Sequence, residues 1–418
     1  YGYAMYQGGN LSRYDAKTGH RKLIKPLHPE RKTLRFNWNA GIAQDPFDNG
    51  TLYFGSQFLH KSTDRGNSWK IISPDLTTND PAKQKQSESG GLTPDVTNAE
   101  NYTTIVSIAP SPAARDLIWV GTDDGQLHVT KDGGERWTNL SRMLQGVPAG
   151  SWIAQIHPSA SNAGEAFVVI NNYRRDDWKP YLMHTTNFGK SWNNIAPKNR
   201  NNNYALAVVQ DPDESSLLFL GTELGLLFSL DYGKTWTQWT NGYPTASTMD
   251  LQIHPREKDL IIGTFGRAAF IIDDITPISE LARKGNELLD QPLEVFSPKD
   301  AYMAFLKEAE GIRFAGHGDF IGENRPFGAN ITFYIKELLT KDAKTDTADI
   351  HIFTETGSLV RNFRTAVKPG FNRTNWDLTC NGIRSAANSK PAKGTPPPSG
   401  HWVLPGKYTA KISYGQSE

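Results

Sequence analysis

Thr130-Lys-Asp132-Gly-Gly134-Glu-Arg136-Trp137 is one of four copies of a single short pattern in this chain. The others are Ser62-Thr-Asp64-Arg-Gly66-Asn-Ser68-Trp69, Thr185-Thr-Asn187-Phe-Gly189-Lys-Ser191-Trp192 and Ser229-Leu-Asp231-Tyr-Gly233-Lys-Thr235-Trp236. Each copy has the chemistry of a tight hairpin. The Asp or Asn side chain accepts hydrogen bonds from the backbone of its own turn, and Gly two positions later can adopt φ > 0 without a Cβ clash. The Ser or Thr can bond back across the turn. The Trp begins the return strand and supplies a large apolar ring to bury between neighbouring sheets.

A second landmark sets the register. A β-rich run ends in Pro upstream of each copy, at Pro46, Pro110, Pro158 and Pro212, and once more at Pro255. Pro cannot donate to a ladder, so it marks a strand end. Another apolar strand follows and closes on Gly plus a hydroxyl residue: Gly55-Ser56, Gly121-Thr122, Gly221-Thr222 and Gly263-Thr264. The third unit departs from this with Asn171-Asn172 and the insert Arg174-Arg175-Asp176-Asp177-Trp178. The Pro spacings are 64, 48, 54 and 43 residues, the size of a four-stranded propeller blade with variable loops. Tyr6 to Gly19 suggests a hairpin from a further blade, and the fifth unit, Leu260 to Asp274, has no such turn.

The repeated turn resembles the Asp-box, or BNR repeat, of bacterial sialidases, sortilin-type receptors and xyloglucanases. The resemblance implies a β-propeller in which these turns lie away from the ligand face. Asp64, Trp69, Asp132, Trp137, Asn187, Trp192, Asp231 and Trp236 are then structural. The phrases Arg35-Phe-Asn-Trp-Asn39, Gly121-Thr-Asp-Asp-Gly125 and Gly263-Thr-Phe-Gly-Arg267 resemble large exported bacterial BNR-repeat proteins, often labelled glycosyl hydrolases. That implies a secreted, periplasmic or cell-surface bacterial setting.

The expected fold is all-β. A propeller of about five to six four-stranded blades, part of a larger propeller, occupies residues 1–275 and begins in mid-blade. A linker with a short helix fills 276–293, where Leu281, Leu288 and Leu289 have helical spacing. Residues 294–418 read as an Ig-like β-sandwich, incomplete at its C-terminal end. Its strands include Ile331–Ile335, Ile350–Phe353, Leu359–Phe363 and Tyr408–Ile412, with a turn at Gly357. The spacing of Gly370-Phe-Asn372 before Trp376-Asp377 and of Pro405-Gly406 before Tyr408 resembles the Ig-like domain of flagellar hook-capping proteins.

Composition supports many short strands: 11 Trp, 15 Tyr, 19 Phe, 37 Gly and 25 Pro in 418 residues. Lys and Arg total 45 against 44 Asp and Glu. That balance argues against nucleic acid or an anionic membrane surface as partner. No apolar run is long enough to span a bilayer. The single Cys380 rules out an internal disulfide. No metal-ligand spacing, nucleotide loop or nucleophile elbow is present, and no cofactor is expected.

Blade geometry directs the search for a site to the face opposite the repeated turns. Residues entering the inner strands belong there: Arg35, Asn37, Trp38, Asn39, Glu100, Asn101, Tyr102, Trp152, Asn203, Tyr204 and Asp250. So do the turns between second and third strands, with Asp123, Asp124, Arg174, Asp176, Asp177, Trp178, Glu223 and Arg267. Of these, Asn37, Trp38, Asn39, Tyr102, Trp152, Tyr204, Trp178 and Arg267 are the ligand-binding candidates. Aromatic rings mixed with amides and carboxylates suit a peptide, a protein or a glycan. The remaining part of the same polypeptide is a further candidate partner. The favoured expectation is a noncatalytic recognition or scaffold propeller. The alternative is a glycoside hydrolase, which needs two carboxylates about 5–5.5 Å apart for retention or about 6.5–9.5 Å for inversion. Glu100 and Asp124 are the first candidates for such a pair, with Asp123, Glu223 and Asp250 behind them. A sialidase needs three converging Arg residues, which Arg35 and Arg267 alone do not supply. The polar loop from Asp75 to Asn98 has a length expected of a functional or mobile segment.

Overall fold

A computed structural model describes residues 1–85, 101–198, 202–304, 322–339, 346–386, 390–392 and 394–417. The chain divides into two compact units, Tyr1–Ile272 and Asp273–Glu418.

The first unit is a run of six antiparallel sheets, the blades of a β-propeller, numbered I to VI here. Blade I has three strands, Gly2–Tyr6, Asn10–Tyr14 and Arg21–Leu23. Blades II to V have four each and open on the inner strands Ile42–Gln44, Ile105–Pro110, Trp152–Pro158 and Ala205–Gln210. Blade VI has three: Thr248–Ile253, Leu260–Thr264 and Ala269–Ile272. The inner strands of blades II to VI contact one another in chain order. In blades III to VI each carries a register shift near its start, between Ile105 and Ser107, Ile153 and Gln155, Ala205 and Ala207, and Thr248 and Asp250. Such bulges bend a strand and re-aim its entry. No local sequence signal announces them.

The core lies between blades. Trp119, Leu127 and Val129 of blade III pack with Val168, Ile170 and Met183 of blade IV. Phe167, Val169 and Leu182 of blade IV pack with Val208, Leu218 and Leu220 of blade V. In blades II, III and V the Gly of the second strand is where the next blade comes closest. A Cβ on Gly55 would stand 2.7 Å from Ile105 Cγ2, one on Gly121 2.3 Å from Ile153 Cγ2, and one on Gly221 2.6 Å from the Thr248 carbonyl oxygen.

The repeated turns close each blade's third strand onto a fourth of only two residues, for example Thr138–Asn139. All four share one hydrogen-bond scheme. In the second copy Thr130 Oγ donates to Asp132 Oδ1 at 2.8 Å and accepts from the Gly134 N–H at 3.0 Å, while the Arg136 N–H donates to Asp132 Oδ1 at 2.9 Å. Asn187 keeps the scheme but donates its Nδ2 to Ser191 Oγ at 2.8 Å, where Asp64 accepts from Ser68 Oγ at 2.6 Å. The turn Gly is left-handed in every copy, and so is the residue before it: Arg65, Gly133, Phe188 and Tyr232. The Trp rings reach the preceding blade. Nε1 of Trp69, Trp137 and Trp236 donates to the carbonyls of Ile24, Ile72 and Ile195 at 2.8, 3.0 and 2.8 Å. Trp192 has no such partner. The equivalent carbonyl, Leu140, accepts the Met143 N–H of a short 3-10 turn instead.

In the second unit, helix Thr276–Lys284 and a 3-10 turn at Asn286–Asp290 cover the segment expected to be helical. Two three-stranded sheets follow. One comprises Leu293–Val295, Ala329–Ile335 and Gly370–Trp376, the other Leu359–Ala366, Thr347–Thr354 and Tyr408–Ser413. Ile331 and Phe333 from the first share one core with Ile350, Ile352 and Ile412 from the second. Trp376 and Tyr408 pack edge to face within it, 5.2 Å between centroids.

Candidate functional site

The turns between second and third strands meet the segments entering the inner strands on one face, as blade geometry requires. The N–H groups of Asp123, Glu223 and Phe265 donate to the carbonyls of Thr104, Tyr204 and Ser247, at 3.1, 3.1 and 2.9 Å. Two groupings of side chains are built on this frame.

The first centres on the Asp123-Asp124 turn of blade III. Asp123 accepts from the Thr104 N–H at 2.8 Å, Thr104 Oγ at 2.5 Å and Asn37 Nδ2 at 3.1 Å. Asp124 accepts from Thr122 Oγ at 2.5 Å, the Thr78 N–H at 2.8 Å and Thr78 Oγ at 2.6 Å. Both residues are buried. Together they tie three separate segments to one turn. Arg35 adds an ion pair to Asp75 at 2.9 Å and a bond to the Thr103 carbonyl at 3.2 Å. Burial pushes the Asp123 carboxyl up to about 8, helped by the neighbouring Asp124 charge and opposed by the bonds from Thr104 and Asn37. Tyr102 is pushed up to about 12 by burial and by both carboxylates, against the charges of Arg175 and Arg174.

The second grouping is an aromatic shelf on blades IV and V. Tyr173 stacks on Tyr204 with 4.4 Å between centroids, and Trp178 lies 5.7 Å from Tyr204. The Arg174 guanidinium stands 4.0 Å over the Trp152 ring and 4.5 Å over Tyr173. Trp178 remains 43% exposed, so the shelf presents ring surface to solvent. Behind it, Glu223 Oε2 accepts from Tyr204 OH and from Ser247 Oγ, each at 2.8 Å. Burial and this carboxylate push the Tyr204 phenol up.

The remaining candidates are dispersed. Glu100 lies outside the described residues, as do residues 86–98 of the loop after Asp75. Trp38 is exposed beside the buried Asn37, and Asn39 donates its N–H to Asn37 Oδ1 at 3.1 Å. Asp250 takes the Leu251 N–H at 2.8 Å. Arg267 is exposed at the blade VI turn next to Phe265. Asp176 is a left-handed exposed residue, and Asp177 accepts from Tyr181 OH at 2.7 Å. Sequence reasoning overlooked Tyr173 and Thr78. Tyr173 is legible in the sequence, since it directly precedes the Arg174–Trp178 insert. Thr78 could not, because nothing local marks a residue that bonds 46 positions away.

Among the described residues no cluster of His, Cys, Asp and Glu could hold a metal, and no helix is long and apolar enough to cross a membrane.

No family model matches the chain, and no curated protein matches it. Solved structures do. The Niastella koreensis GH74 enzyme is 16% identical over 65% of this chain and 50% of its own, with a TM-score of 0.37. YCF48 bound to a peptide is 14% identical over 64% of this chain and 72% of its own, with a TM-score of 0.42. The β-propeller domain of Myceliophteria thermophila Cps50 is 12% identical over 65% and 79%, with a TM-score of 0.42. The chain thus spans about half the length of the GH74 structure. Likenesses of this size assign no activity to the chain, since one fold hosts many functions.

Proposed function

We propose that this protein is a recognition propeller, holding a peptide, protein or glycan on the face opposite the repeated turns without transforming it. The observation that supports this best is the aromatic shelf. Trp152, Tyr173, Trp178 and Tyr204 come from two blades, Arg174 is fixed over two of the rings, and Trp178 keeps a large open surface. Rigid aromatic anchors on a scaffolded turn are what a binding face needs. We further propose an exported bacterial setting and an Ig-like character for the second unit, on sequence resemblance alone.

A second reading, a glycoside hydrolase, draws on Asp123. A carboxyl pushed up to about 8 carries a proton at neutral pH, as a general acid must. Against it, both oxygens of Asp123 are already engaged by Thr104 and Asn37 inside the protein.

Equilibrium binding to arrayed peptides and oligosaccharides tests the favoured reading. Trp178→Ala and Trp152→Ala should each weaken the best ligand by roughly tenfold or more, the effect of losing an anchor residue. Ligand retention unchanged in both variants, with the melting temperature preserved, would remove the shelf from the site.

A further inference from the structure

Apart from the shelf, a cavity of about 750 Å³ lies between the blade III turn and the segment leading to blade IV. Two glycines form one wall. Gly125 and Gly150 have φ of +83° and +72°, and a Cβ on Gly125 would stand 2.7 Å from the Gly150 Cα. Neither position tolerates a side chain easily, so the backbone approach is specific to this residue pair. The wall is braced from blade IV. Arg175 donates to the Ala149 carbonyl at 3.0 Å and to Ser151 Oγ at 3.3 Å.

The lining mixes apolar and polar side chains. Leu144, Val147, Pro148 and Ile153 supply the apolar ones, of which Leu144 and Ile153 are buried in the core between blades, and Gln126 and Arg142 are among the polar ones. Gln126 commits its Oε1 to Asn139 Nδ2 at 2.9 Å and to Ser141 Oγ at 3.4 Å, which leaves its NH₂ to donate. Arg142 is exposed and forms no ion pair among the described residues. Among the described residues no carboxylate lines the space. The Pro148 carbonyl already takes Ser151 Oγ at 2.6 Å and the Ala149 carbonyl takes Arg175.

A cationic donor beside apolar side chains selects an anion with an apolar body. We propose that this cavity binds a carboxylate bearing a short branched aliphatic chain, gripped by Arg142 and Gln126 while the chain packs on Val147 and Pro148. Its size lies within the range of small-molecule pockets, roughly 300–1,000 Å³. The free carboxylate of an acylated amino acid and the carboxyl end of a peptide share this chemistry.

Calorimetric titration of the intact protein with N-acetyl-leucine, its amide and N-acetyl-Ala-Ala-Leu tests it. The two acids should bind at least about tenfold more tightly than the amide, the worth of one charge-assisted contact. Arg142→Met should erase that difference with the melting temperature unchanged, as expected for an exposed side chain. Tighter binding of the tripeptide than of acetyl-leucine identifies a peptide end as the source, and equal binding identifies the free acid. Acid and amide binding alike, no heat from either acid at millimolar concentration, or an Arg142→Met protein that still prefers acids would overturn the assignment.

Discussion

Trp137 and Trp192 occupy the same place in two copies of one turn, yet their indole N–H groups differ in fate. Trp137 reaches the Ile72 carbonyl, whereas Trp192 lies half-buried beside Trp119 with its buried Nε1 unpartnered. Trp137→Phe should cost about 1 kcal/mol beyond any packing loss, the net value of one hydrogen bond. Trp192→Phe removes an unsatisfied donor and should cost less. Denaturant midpoints of the two variants check the order. Asp123 supports a second prediction at this scale. Its folded value near 8 lies above the ordinary 3.8, so proton binding favours the fold. The stability it contributes is complete below about pH 4 and is lost as the pH rises through 8. Asp123→Asn should lack that decline, so its stability relative to the parent should improve from pH 5 to pH 9 in parallel denaturation curves. A relative stability that worsens over this range would refute the sign.

The blade is the element that repeats, and its interfaces turn on one glycine. Gly121→Ala would place a methyl 2.3 Å from Ile153 Cγ2, so the blade III–IV interface must open, at about 1–3 kcal/mol or more. The equivalent Gly263→Ala meets only Asp250 of its own blade, nearest at Cβ, 3.5 Å, and should be near neutral. Thermal melts of the pair test whether the glycine serves packing between blades or the strand itself. The sequence pattern made these units readable because turn chemistry and strand ends are local. Asp, Gly and Trp mark the hairpin, and Pro marks the strand stop. The repeated inner-strand bulges stayed hidden, since a register shift depends on the partner strand. So did the left-handed residue before each turn Gly, because Arg, Gly, Phe and Tyr share no chemistry that signals it.

At the scale of the molecule, the face opposite the repeated turns was foreseeable from topology, but its division of labour was not. In the sequence Asp123 and Asp124 read as turn residues and candidates for a catalytic carboxylate pair. Their partners Asn37, Thr78 and Thr104 arrive from three distant segments and occupy them. Trp152 and Tyr204 enter inner strands and Trp178 follows the turn between second and third strands, so periodicity locates all three on this face. We propose that this face binds without hydrolysing. This is tested most directly by incubating the intact protein with a panel of polysaccharides and following release of new reducing ends. No release above that of buffer is expected, with ligand retained intact on the protein. Sustained release that disappears in Asp123→Asn or Asp124→Asn, while both variants keep the parent melting temperature, would contradict it.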